Sequence, residues 1–172
     1  MELERSHRFS VVADKETFNA QFGEVEIGRK PYLFLGGKMS RSLIQVANPS
    51  TQAVALNGII SLGSTQRRFG CNLRLSGNAI EISGEGYYTI DCDVSVAPTA
   101  AGTVTVALYN NGVQIPGAVA YGSVTTATNP VNLCINTTLR QGCCCDSADN
   151  LTCVLLAGAG NVQNISMRVV KE

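Results

Sequence analysis

A chain of 172 residues is long enough for one well-buried domain and short for two. Thirteen basic side chains balance thirteen acidic ones, so the surplus of Lys and Arg that nonspecific nucleic-acid binding needs is missing. Residues 94–139 carry no charge at all, yet Thr, Asn, Gly and Pro interrupt them throughout, and no run approaches the roughly 20 apolar residues of a membrane-spanning helix.

The chain opens MELERSHR, a charged start without the apolar stretch of a secretory signal. Seven of the 13 basic residues fall within residues 1–45: Arg5, Arg8, Lys15, Arg29, Lys30, Lys38 and Arg41. Residues 14–22 predict a short helix, with Asp14 as N-cap, Phe18 and Phe22 one turn apart, and Gly23 closing it. On either side of it, residues 8–13 and 32–35 read as extended. So few apolar anchors cannot bury a core of their own, which makes residues 1–47 an arm or attachment segment. The turn signal Asn48-Pro49-Ser50 then marks the start of a second style of sequence, a domain of residues 48–172.

From Ser50 onward strands are predicted at the spacing of a sandwich or barrel: 53–62, 71–75, 79–83, 87–97, 103–110, 113–121, 131–139, 151–157 and 162–170. Tyr88, Ile90, Cys92, Val94 and Val96 alternate with Thr89, Asp91, Asp93 and Ser95, as a strand requires when one face meets a core and the other meets water. Val104, Val106 and Leu108 repeat the pattern, and Asn110-Asn111-Gly112 follows. An Asn-Gly pair accepts the positive φ angles of a tight hairpin, so a strand returns through Val113 and Ile115. Val131, Leu133 and Ile135 alternate with Asn132, Cys134 and Asn136, and Ile165, Met167 and Val169 with Asn164, Ser166 and Arg168. No helical stretch, internal repeat or heptad occurs in this half. Eight or nine short antiparallel strands in this length predict an all-β jelly roll, two packed sheets.

Three pieces of the chain, in this order and spacing, carry a resemblance. Gly86-Tyr87-Tyr88-Thr89-Ile90, after Asn78-Ala79-Ile80-Glu81-Ile82, is similar to the G-x-Y-x-I strand that opens the core of the trimeric jelly-roll superfamily of tumour necrosis factor and complement globular heads. Thr103 to Gly112 is similar to the next strand of that group, with its Asn-Gly turn, and Asn164 to Lys171 to its final strand. The resemblance covers residues 50–172 and is strongest to versions in structural proteins of tailed bacteriophages and in bacterial surface proteins, from which this chain departs by lacking a collagen-like stalk. It implies a homotrimer of three wedge-shaped jelly rolls about a threefold axis. An uncharged strand face, cheap to desolvate against copies of itself, suits that arrangement.

Seven cysteines stand at 71, 92, 134, 143, 144, 145 and 153. Cys143, Cys145 and Cys153 offer three thiolates for zinc, but the two C-x₂₋₄-C knuckles of structural sites are missing and the only histidine, His7, is in the arm. An odd count speaks against a finished disulfide framework, although a bridge within the 143–153 loop or between subunits stays open. Free, mostly buried thiols are the favoured reading, with Cys92 a small core residue. His7 leaves a cysteine nucleophile without a base in the domain. Asp91 and Asp93 share one strand face and read as solvated rather than as a catalytic or calcium-binding pair. The Arg67-Arg68 pair reads as a solvated polar turn, Tyr87, Tyr109 and Tyr121 offer rings to sugars without forming a defined site, and Asn136, Asn150 and Asn164 head formal glycosylation sequons.

No catalytic, cofactor or metal site is therefore expected. The reading that follows is a non-enzymatic structural protein of a bacteriophage virion, assembled in the host cytoplasm without a signal peptide. Its partners are further copies of itself and, through residues 1–47, the major capsid protein or another virion protein, so that the knob decorates the capsid as a head decoration or head fibre. The alternative is a receptor-binding tip that recognises a host surface glycan or protein. Neither nucleic acid nor membrane is expected as a partner.

Overall fold

The structure, a computed structural model, describes residues 41–142 and 148–172. The helix expected at 14–22, the extended segments at 8–13 and 32–35, and the cysteine run 143–145 lie outside the described residues. Among the described residues twelve antiparallel strands follow one another: β1 (Leu43–Asn48), β2 (Gln52–Val54), β3 (Gly58–Ile59), β4 (Ser64–Phe69), β5 (Leu73–Ser76), β6 (Ala79–Ile82), β7 (Gly86–Pro98), β8 (Gly102–Asn110), β9 (Val113–Val124), β10 (Val131–Gln141), β11 (Asp149–Ala157) and β12 (Gly160–Lys171). They form two six-stranded sheets. The first runs β10-β7-β12-β1-β4, with β2 beside β12; the second runs β5-β6-β11-β8-β9, with β3 beside β11. Strands consecutive in sequence repeatedly cross between sheets, and the result is the jelly roll that the alternation predicts.

The core lies between the sheets and follows the period-two pattern closely. Tyr88, Ile90, Cys92, Val94 and Val96 of β7, Ile44 and Val46 of β1, and Ile165, Met167 and Val169 of β12 project from the first sheet. Val104, Val106 and Leu108 of β8 meet them with Leu151, Cys153 and Leu155 of β11 from the second. The parity slips once in β12, where even-numbered Val162 and odd-numbered Ile165 are both buried; a bulge between Val162 and Asn164 absorbs the extra residue. A second slip, between Ile115 and Ala118 of β9, coincides with Pro116-Gly117, where Gly117 takes φ +78° and the register against β8 shifts.

The predicted hairpin after β8 is present. Asn111 (φ 49°) and Gly112 (φ 77°) both occupy the left-handed region, and Asn110 pairs with Val113 across the two-residue loop. Asp149, the first residue of β11, holds this turn: its carboxylate accepts from Asn110 Nδ2 at 2.8 Å and from Asn111 Nδ2 at 2.7 Å. The amide of Asn150 donates to Asn111 Oδ1 at 2.8 Å.

Three features depart from the sequence reading. Residues 43–47, read as the end of the arm, belong to strand β1, paired with β12 on one side and β4 on the other, with Ile44 and Val46 fully buried. The Asn48-Pro49-Ser50 signal is a real turn, closed by Ser50 N donating to Asn48 Oδ1 at 3.0 Å, but it joins two strands of one domain. Next, the strand expected over 53–62 is broken into β2 and β3 at Asn57, whose φ of 59° no extended strand accommodates. Finally, Arg67 and Arg68 lie not in a turn but in β4. Every residue of β4 is exposed, so no hydrophobic alternation announces it, and its backbone bonds to β1 alone hold it as the sheet edge.

Candidate self-association surface

The outer face of the first sheet is built by strands whose inward residues fill the core. The remaining residues line up in straight rows across five strands. One row reads Cys134, Asp93, Ser166, Ala47, Ser64; the next Asn136, Asp91, Arg168, Gln45, Arg67; the third Thr138, Thr89, Val170, Leu43, Phe69. Most of these side chains are small or short and polar, and the two carboxylates are matched by two guanidinium groups. Apolar area concentrates at the end where the chain enters β1. There Phe69 (65% exposed) and Tyr87 (55% exposed) lie with half-buried Leu43 and Val170. Such a face, balanced in charge and partly apolar, is suited to bury against another protein surface.

Asp91 and Asp93 occupy this face as expected of the polar side of β7, but each is engaged by different neighbours. Asp91 Oδ2 lies 3.5 Å from Arg168 Nη1, and its other oxygen accepts from Asn136 Nδ2. Both members of the ion pair are partly exposed, so in water the pair adds little to stability. Asp93 accepts from the Cys134 thiol; that hydrogen bond, and then the carboxylate's charge, push the Cys134 thiol above its ordinary value. Beside them is a shallow depression of about 130 Å³, lined by Asp93, Ser95, Asn132, Cys134 and Asn164 among others. Among the described residues no group of three or more His, Cys, Asp or Glu gathers in metal-binding geometry.

The other singled-out residues are dispersed. Cys92 is buried, 1% exposed, as its strand parity predicts; Cys153 is buried as well, while Cys71 and Cys134 are exposed. Tyr87 belongs to the face just described. Tyr109 is half-buried, and Tyr121 (77% exposed) is on the outer side of the second sheet opposite Thr105, so the three rings form no common platform. The sequon residues Asn136, Asn150 and Asn164 are all exposed. All three rows gain a member the sequence reading passes over: Leu43, Gln45 and Ala47 come from β1, whose own alternation with Ile44 and Val46 is the signal that identifies them.

At one end of the sandwich several chain segments converge. Lys171 N donates to Ser42 O at 2.8 Å and Glu172 N to Tyr87 O at 2.9 Å, while Gln141 pairs with Gly86. The chain therefore enters the domain, leaves it, and departs towards the cysteine run all at this end. The opposite end, reached by residues 49–51, 99–102 and 125–130, carries no charged residue.

No protein-family profile matches this sequence, and no curated protein matches it. Solved structures do. Murine APRIL superimposes with a TM-score of 0.59 at 11% identity, over 77% of this chain and 99% of that one. The globular domain of zebrafish complement 1qA gives 0.56 at 9% identity, over 74% and 94%. The vertex protein P5 of PRD1, a phage protein, gives 0.50 at 13% identity, over 78% and 99%. At these identities the likeness is one of fold. The jelly roll of this chain is the fold shared by tumour-necrosis-factor-like ligands, complement globular heads and a phage vertex protein.

Proposed function

We propose that this protein is a non-enzymatic structural component of a bacteriophage virion, a trimeric jelly-roll knob fastened through its N-terminal arm and decorating the capsid. The observation that carries the reading is the outer face of the first sheet. Its rows are small and charge-balanced, with an apolar end at Phe69 and Tyr87, which is how a surface made to meet copies of itself is built. The homotrimer implied by the sequence resemblance supplies the copies. The likeness of fold to a phage vertex protein supports a virion setting.

The arm is the attachment device in this reading. With β1 inside the jelly roll, it comprises the residues before Leu43, with Arg5, Arg8, Lys15, Arg29 and Lys30 available to an acidic partner surface. Trimerisation raises the effective concentration of each arm once another has bound, so three weak contacts act as one firm one. The partner is the major capsid protein or another virion protein.

Two measurements test this. Light scattering of the full chain gives a mass of three chains in reductant. Co-sedimentation with virus particles that lack the protein is retained by the full chain and lost by a variant beginning at Lys38. A monomer at micromolar concentration sinks the trimer. Equal particle binding by both chains sinks the arm as the fastening, and binding of the shortened chain to host cells instead would turn the reading to a receptor-binding tip.

A further inference from the structure

We propose that Cys92 and Cys153 are a paired dithiol that closes into a disulfide between the two sheets when the chain folds in the presence of a disulfide oxidant such as oxidised glutathione. Cys92 is on the inner face of β7, 1% exposed, and Cys153 on the inner face of β11, 0% exposed. β7 belongs to the first sheet and β11 is the middle strand of the second, so the two side chains approach from opposite walls of the sandwich. Both are free thiols here. Both belong to the one buried cluster between the sheets, and the neighbouring Cys153 thiol, with burial, holds the Cys92 thiol well above its ordinary range.

Among the described residues the surroundings make the pair exclusive. Cys92 stands between Ile135 and Met167 in its own sheet, and Cys153 opposite Leu108 in its sheet. Cys71 and Cys134 are exposed and therefore outside this core. Each buried sulfur accordingly has one described thiol to meet.

The chemistry is ordinary thiol–disulfide exchange. One cysteine gives up its proton, and its thiolate attacks a sulfur of oxidised glutathione, forming a mixed disulfide and expelling one glutathione thiolate. The second cysteine, deprotonated in turn, attacks the protein sulfur of that mixed disulfide and expels the second glutathione. Two electrons pass from the protein to the oxidant, and two protons leave with them. The attacking species is the thiolate, which the closed core disfavours and shields. Bond formation therefore belongs to the folding chain, before the sheets seal, and the folded reduced protein reacts slowly. Once made, the bond ties positions 92 and 153 and restricts the unfolded chain, which raises the thermal midpoint.

The test refolds the full chain from denaturant in parallel, in a glutathione redox buffer and in reductant. Free thiols are then alkylated and tryptic fragments weighed. The expected product joins the fragment 75–140, which holds Cys92 and Cys134, to the fragment 141–168, which holds Cys153 and the cysteine run. The link persists in Cys134→Ser and disappears in Cys92→Ala and in Cys153→Ala. A variant keeping only Cys92 and Cys153 shows the same link, and its oxidised form melts on the order of 10 °C above its reduced form. Should that variant fail to fold, the single substitutions in the otherwise unchanged chain still decide. Complete alkylation of Cys92 and Cys153 after oxidative refolding to the native circular-dichroism spectrum overturns the proposal, as does an oxidised form that melts below the reduced one.

Discussion

Tyr87 and Tyr88 are neighbours in sequence and opposites in structure, and replacing each by Phe separates what strand parity alone decides. Tyr88 is fully buried, and its hydroxyl donates to the carbonyl of Gly84 at 2.6 Å, closing the turn between β6 and β7. Gly84 is itself buried, and Asn72 packs over it so tightly that a Cβ there would meet Asn72 Nδ2. Removing the hydroxyl keeps the ring's packing but leaves a buried carbonyl without this donor. The loss is about 1–3 kcal/mol. With a urea slope of roughly 1–3 kcal/mol/M, the midpoint falls by about 1 M while the slope stays the same. Tyr87, 55% exposed on the outer face, loses within about 0.5 kcal/mol on the same change. The assay is urea unfolding followed by circular dichroism, all chains at one concentration because self-association adds to apparent stability. Equal midpoints for the two variants would refute the assignment of the buried Tyr88 hydroxyl to the Gly84 carbonyl.

Three further outcomes are expected. Asp149→Ala removes the acceptor for both Asn110 and Asn111 and costs about 1–2 kcal/mol, with faster amide exchange at the 110–113 hairpin as the local readout. Gly112→Ala, where a new Cβ meets nothing within 4 Å but φ is +77°, costs about 1–2 kcal/mol; Gly160→Ala, whose Cβ would lie 2.5 Å from the carbonyl oxygen of Ala97, costs more, and thermal melts order the two. The Cys92 thiol is raised by Cys153 and by burial, so above the ordinary thiol range the unfolded chain ionises while the folded one does not. Stability is then intact below about pH 9 and falls as pH rises beyond it, and Cys92→Ala flattens that alkaline decline; an unchanged slope in the variant contradicts the contact.

How much of this was legible in sequence depends on whether a strand has a wet side and a dry one. β7, β8, β10 and β12 each bury one face and expose the other, so alternation disclosed them and even assigned Cys92 inward and Cys134 outward. β4 has no dry side. Its residues Ser64, Thr65, Gln66, Arg67, Arg68 and Phe69 are all exposed, and backbone pairing with β1, which leaves no trace in side-chain chemistry, is what makes it a strand. β1 failed for a different reason. Its alternation was present, but the Asn48-Pro49-Ser50 turn was read as the border of a domain when it is the border of a strand. Local turn chemistry says that the chain changes direction, and it does not say how far the next element travels. The candidate surface inherits these misses, because its rows cross β1 and β4, and a row across five strands is a property of register rather than of any one segment.

The same register gives the molecule a direction. The chain enters the domain at Ser42, ends beside Tyr87 at Glu172, and departs for the cysteine run after Gln141, all at one end of the sandwich. The exposed rings of Phe69 and Tyr87 are at that end too. In a threefold assembly through the first sheet, the arms would leave from a common end, close to the apolar part of the contact that holds the copies together. On the proposed reading, arm attachment and self-association are coupled: each copy that joins would bring its arm to the same side, and each arm that binds would hold its knob where the next copy can pack. The far end is made of uncharged loops at 49–51, 99–102 and 125–130. A Phe69→Arg, Tyr87→Arg double substitution puts two like charges into each copy of that contact. It is expected to shift the mass from three chains to one and, because single arms bind weakly, to weaken particle binding by about 10²-fold or more without touching the arm. Monomers that still bind particles as tightly as the unaltered protein would show that the arm needs no partners, and the coupling would fall.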